Sequence, residues 1–181
     1  MLINTDFDLI VFRSRERANN MVTSGLYSRF GLSQSGRFEN ALIGCVGELA
    51  FEEYLKANNI KYETDNTDFS SKNSDEFDFL INAKKIDIKV AKKTTKNSPN
   101  DNWGYGYPEE QNPSSKDFVV VGWVDFEKKE ISFYGWLTGN EIKEYPVVTH
   151  NSFVGFKYKT PNHEFKWGDM NKDFKNLIEQ L

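Results

Sequence analysis

The sequence has one cysteine, Cys45, so no disulfide can form within the chain. It has no run of about 18 apolar residues, which excludes a membrane-spanning helix. Basic residues are in deficit, 23 Lys and Arg against 27 Asp and Glu, for a net charge of −4. That argues against a protein that coats nucleic acid nonspecifically, because phosphate contacts need surplus base. It does not exclude a nuclease, whose site must itself be acidic to hold metal. No Walker loop and no Gly-x-Ser-x-Gly occurs. His150 and His163 lie far apart and with Cys45 give no zinc spacing, so neither is assigned a role. There is no internal repeat and no dividing linker, so residues 1–181 are expected to form one domain. The first residues, Met1 to Asp8, carry acid where a signal peptide would carry base. Together with the single cysteine, this gives the expectation of a cytoplasmic protein.

Apolar content is high enough to fold. Hydrophobic residues make up 38% of the chain and aromatic residues 15%, which is far from the composition of a disordered segment. Residues 12–30 read as a weakly amphipathic helix and Gly31–Gly36 as a turn. From Arg37 to about Asn58 the apolar residues Phe38, Ala41, Leu42, Cys45 and Leu49 recur at helical spacing. Gly44 and Gly47 each cost this helix about 1 kcal/mol relative to alanine. Close approach of the helix to a sheet would account for them, and would hold Glu48 at a partly buried border.

A short strand is expected at Ile60–Thr64, then a polar loop with Asn66, Ser70, Ser71, Asn73 and Ser74. Phe77, Phe79 and Ile81 alternate with Asp78 and Leu80, and Ile86, Ile88 and Val90 alternate with Asp87, Lys89 and Ala91. With a turn at Asn82-Ala83, these form a hairpin. Residues 94–116, with Pro99, Gly104, Gly106, Pro108 and Pro113, read as a long loop. Phe118–Phe126 and Glu130–Leu137 read as strands, and Thr138-Gly-Asn-Glu141 as a capping box opening a short helix to about Tyr145. A strand at Ser152–Lys159 and a last helix from Asp169 complete a mixed α/β (α+β) domain around one sheet.

The chemistry concentrates in the hairpin. Asp87 and Lys89 are two apart on a strand and share a face. With a tight turn at Asn82-Ala83, Asp78 falls opposite Asp87, with Cβ atoms about 5 Å apart. Two carboxylates that close repel unless positive charge stands between them. Mg²⁺ is a hard cation that takes carboxylate oxygens and keeps waters for a phosphate substrate. Lys89 beside it could orient or deprotonate an attacking water and stabilise charge on the phosphate. The alternative is a surface salt bridge on a solvated sheet face.

A helix carrying Gly47-Glu48, then Asp78 on one strand and Asp87-Ile88-Lys89 on the next, resembles the PD-(D/E)XK nuclease superfamily, which includes restriction-endonuclease-like and phage-type nucleases. The resemblance covers about residues 37–125. It implies an α-β-β-β-α-β core, a central mixed sheet flanked by helices, and Mg²⁺- or Mn²⁺-dependent phosphodiester hydrolysis. Asp78 and Asp87 would be metal ligands, Lys89 the catalytic lysine, Glu48 a further ligand or water-positioning acid, and the Ile88 carbonyl would complete the coordination. Phe77 stands where the motif's name has proline. The core helix would have to fall within 92–116, where the residues read as a loop. Glu52 competes with Glu48 for the helix role, lying one turn on without adjacent glycines.

Residues 84–96 hold six lysines against one acid, Asp87. Lys92, Lys93 and Lys96, followed by Trp103, Tyr105 and Tyr107, suit phosphate contacts and base stacking. A solvated charged stretch, with aromatics covering the core, is the bland alternative. Arg13, Arg15, Arg17 and Arg37 could extend the footprint or simply form a solvated helix face. The expected function is a metal-dependent endonuclease on DNA, and a homodimer would let it cut both strands. A noncatalytic nucleic-acid-binding or interaction module and an RNA-directed nuclease are the alternatives.

Overall fold

The computed structural model describes residues 1–3, 5–65 and 76–181. The loop expected around Asn66–Ser74 lies outside the described residues.

Two long helices form one layer. Helix α1 (Phe7–Thr23) starts at Asp6, whose side chain accepts from the Leu9 N–H. It starts earlier than the residue pattern suggested, at the Asp6 cap, and ends earlier, where Arg37 donates to the carbonyls of Val22 and of Leu26 just beyond the helix. Helix α2 (Gln34–Ala57) is capped by Ser33. Its apolar stripe is broader than the sequence periodicity indicated and adds Val46, Ala50, Phe51 and Leu55. Gly47 is the point of closest approach to the sheet, since a Cβ there would lie 2.5 and 2.7 Å from the methyls of Val90.

The main sheet has four strands in the order β1-β2-β4-β5. Strands β1 (Phe79–Ile81) and β2 (Lys84–Lys92) form the expected hairpin, closed by Asn82 and Ala83, both at positive φ as a type I′ turn requires. The expected strand before it reduces to one bridge, Glu63 with Leu80. Strand β4 (Phe118–Asp125) runs parallel to β2, and β5 (Glu130–Thr138) pairs antiparallel with β4. A parallel pair needs a long crossover. Here residues 93–117 provide it, and they are not a featureless loop. They contain strand β3 (Gly104–Pro108) and two single-turn 3₁₀ helices. No α-helix lies in this crossover, so the core helix implied by the resemblance is absent there.

Strand β3 leaves the main sheet for a second one, order β3-β7-β6, with β6 (Val147–His150) and β7 (Lys157–Lys166). The strand expected at Ser152–Lys159 is displaced, because 151–156 form the turn between β6 and β7. Asn151 captures the N–H groups of Phe153 and Val154, and Gly155 takes φ 75°. Helix α3 (Gly139–Glu144) has the expected capping box of Thr138 and Glu141. The last helix, α4 (Phe174–Gln180), begins later than Asp169, because Asn171 pairs with Trp136 and Asp173 caps the helix.

Strand β4 is buried on both faces, which explains its unbroken Phe-Val-Val-Val run. Phe118, Val120 and Val124 join α1, α2 and α4 in the larger core. Val119 and Val121 face the other way, onto Tyr107, Phe165, Trp167 and Met170 beneath the second sheet. Among the described residues no helix is long and apolar enough to cross a membrane.

Candidate active site

The hairpin register pairs Phe79 with Ile86 and continues one step outward, with the Asp78 N–H donating to the Ile86 carbonyl at 3.0 Å. Asp78 therefore stands opposite Asp87. Ile86 and Ile88 are buried in the larger core and Val90 packs against it. Asp87 and Lys89 face the opposite way, in register with Val119 and Val121. That face is not solvated: the second sheet covers it.

Both hairpin aspartates are buried, and their oxygens are engaged from within the protein. The Asp78 carboxylate accepts from the Ile88 N–H at 2.5 Å. Asp87 accepts from Lys89 Nζ at 2.7 Å on one oxygen and from the Tyr107 hydroxyl at 2.8 Å on the other. Burial pulls the Lys89 ammonium down, but Asp87, Tyr107 and Asp78 together hold its pKa well above the ordinary lysine value. Lys89 is thus a cation, suited to stabilising negative charge rather than to accepting a proton. Burial first, then the negative charge of Asp87, pushes the Tyr107 hydroxyl far up, so it remains a donor.

Glu48 is buried at the border of α2 and β2, one residue from the Gly47–Val90 contact, as the paired glycines suggested. Gly44, one turn earlier, leaves its Cβ position 3.8 Å from the Glu48 carboxylate. Arg17 of α1 pairs with Glu48 at 2.5 Å. Glu52 instead contacts Tyr62, Lys56 and Arg13, so it belongs to a cluster of its own. Glu48, Asp78, Ile88 and Lys89 line one open cleft of about 680 Å³.

The donor chemistry suits a hard divalent cation, because carboxylate and carbonyl oxygens are what Mg²⁺ takes. Two buried carboxylates facing across a hairpin also demand positive charge. In the observed arrangement Lys89 supplies it, while Arg17 neutralises Glu48. Among the described residues no three His, Cys, Asp or Glu side chains are arranged to hold a metal ion.

The remaining candidates disperse. Lys92 pairs with Glu39 at 2.6 Å, and Lys93 is turned into an ion pair with Asp125 in which the side chains are 9% and 6% exposed. Lys96 is exposed. Trp103 packs edge-on against Trp167 beneath the second sheet, away from any open loop. Tyr105 leans on Phe165 and borders the cleft. Lys84, Lys85 and Lys89 are also paired, so the run of lysines is not a free basic patch. Two partners escaped the sequence reading. Arg17 was grouped with the surface arginines, and Tyr107 with the stacking aromatics. The signal for Tyr107 was the Gly-Tyr-Gly-Tyr alternation, which puts Tyr105 and Tyr107 on one face of a strand. Compared with protein-family models, curated proteins and solved structures, the chain has no match.

Proposed function

We propose that this protein is a divalent-metal-dependent nuclease, an endonuclease acting on DNA. The observation that supports it is the convergence of Asp78, Asp87 and Lys89 on one face of a hairpin, beside a cleft that Glu48 also lines. Asp78, Asp87 and the Ile88 carbonyl would hold Mg²⁺ or Mn²⁺, with Glu48 as a further ligand or water-positioning acid. A bound cation supplies an activated water and neutralises charge on the scissile phosphate. Lys89, held as an ammonium, stabilises the charge that develops on that phosphate. Tyr107 keeps Asp87 oriented while Lys89 moves. A homodimer, with one site per subunit, would cut both strands.

The internal pairing of all three carboxylates favours one rival, a module that binds nucleic acid without cutting it. Incubation with supercoiled plasmid, single-stranded DNA and RNA, in Mg²⁺ or Mn²⁺ and in chelator, separates the two. The nuclease reading predicts cutting that requires metal, and the preferred polymer assigns DNA or RNA. Nucleic acid bound equally well in chelator and never cut would establish the binding module.

A further inference from the structure

The turn between β6 and β7 carries three of the most exposed large apolar side chains: Phe153 (80% exposed), Val154 (66%) and Phe156 (54%). Such a patch on a slack loop would cost little to bury elsewhere, but this loop is braced. Buried Asn151 accepts from the N–H groups of Phe153 and Val154, at 3.1 and 2.8 Å. Its amide donates to Glu164 at 2.7 Å and to the Tyr158 hydroxyl at 3.0 Å. Glu164 in turn accepts from the Ser152 N–H. The Tyr158 ring lies over Gly106, where a Cβ would come within 2.8 Å of it. A rigidly held, exposed apolar tip marks a contact surface.

Its chemistry continues into the chain that follows. Phe156-Lys157-Tyr158-Lys159 alternates ring and ammonium and forms part of the wall of the cleft that holds Asp78 and Lys89. Lys157 and Lys159 pair with no carboxylate among the described residues, while Lys159 sits 5.8 Å from the Phe30 ring across the cleft. Of the five cations that line the cleft, Arg29, Lys89 and Lys92 are paired with Glu110, Asp87 and Glu39, which leaves Lys157 and Lys159 to meet a ligand. Rings for stacking interleaved with ammonium groups for phosphates are what a single strand of nucleic acid binds.

We propose that the β6–β7 tip and the Phe156–Lys159 segment form a platform for single-stranded nucleic acid at the mouth of the cleft. The bases stack on Phe153 and Phe156, and Lys157 and Lys159 contact the phosphates. This deepens the nuclease reading and rests on it only for the fate of the bound strand.

The test is anisotropy of a labelled oligothymidylate of about 12 nucleotides, with the full chain in EDTA. The single strand should bind about tenfold tighter than a duplex of equal length. The exposed double variant Phe153→Ala/Phe156→Ala should lower that affinity about ten- to a hundredfold. Lys157→Ala/Lys159→Ala should lower the slope of log affinity against log salt by about 1.4. Unchanged affinity in the ring variant overturns the proposal. So does capture of anionic phospholipid vesicles that the ring variant loses, with the oligonucleotide unbound, which would give the tip to a membrane. Cleavage of plasmid, single-stranded DNA and RNA in Mg²⁺, run in parallel, separates the two claims. Cleavage with the ring variant binding as wild type refutes the platform alone. Ring-dependent binding with no polymer cut refutes the nuclease alone.

Discussion

Tyr107 is fully buried and gives its hydroxyl to Asp87, so the pair must be treated as one unit. Tyr107→Phe keeps the ring packing and leaves one carboxylate oxygen without its donor. It should cost about 1.5–3 kcal/mol, the range for a hydrogen bond to a charged group, read from urea unfolding. A loss below about 0.5 kcal/mol, the level of an ordinary surface substitution, would show that Asp87 is held by Lys89 alone. Tyr62 offers a pH test outside the site. Burial, then the hydrogen bond to Glu52, pushes its hydroxyl from 10 up to about 12. A raised folded pKa contributes stability that is complete below the unfolded value and fades as pH rises through the folded one. The stability difference between wild type and Tyr62→Phe should therefore be constant below pH 10 and change between about 10 and 12. A difference that is flat across this window would contradict a Tyr62 hydroxyl held protonated by burial and by Glu52.

Helix α2 and strand β2 meet at Gly47 and Val90, and this contact fixes where Glu48 stands. Gly47→Ala should push the helix away and cost about 1–3 kcal/mol despite alanine's better helix propensity. Val90→Ala in the same chain should return part of that loss, a coupling that thermal unfolding of the four variants would measure. Strict additivity would mean the helix does not bear on the strand there. The helix, the hairpin and its rung of aspartates were legible because they rest on local periodicity and a two-residue turn. Strand β3 was not, because Gly104 to Pro108 pairs with β7 almost sixty residues away. A Gly- and Pro-containing segment that becomes a strand only through distant pairing carries little local signal. The β6–β7 turn misled in the opposite direction, because its apolar residues look like a strand and are instead a braced loop.

At the scale of the whole molecule, two layers enclose the hairpin, helices on one face and the second sheet on the other. The residue pattern separates an apolar face of β2 from a polar one, and the alternative it left open, a salt bridge on a solvated face, does not hold because the second sheet covers that face. The covering sheet brings Tyr107 onto Asp87 and narrows access to the cleft, neither of which the hairpin alone could reveal. The lysine run was equally misleading, since all of its lysines but Lys96 find acids across the fold.

If the Asp78, Asp87 and Lys89 cluster cuts phosphodiesters, loss of Lys89 must stop the cutting. Lys89→Met should be compared with wild type for Mn²⁺ affinity by calorimetry and for single-turnover plasmid cleavage. Cleavage should fall at least about 100-fold, as for loss of one group that stabilises the transition state. Metal affinity should hold or rise, because Lys89 no longer competes for Asp87. Full cleavage by Lys89→Met would move the chemistry away from this hairpin.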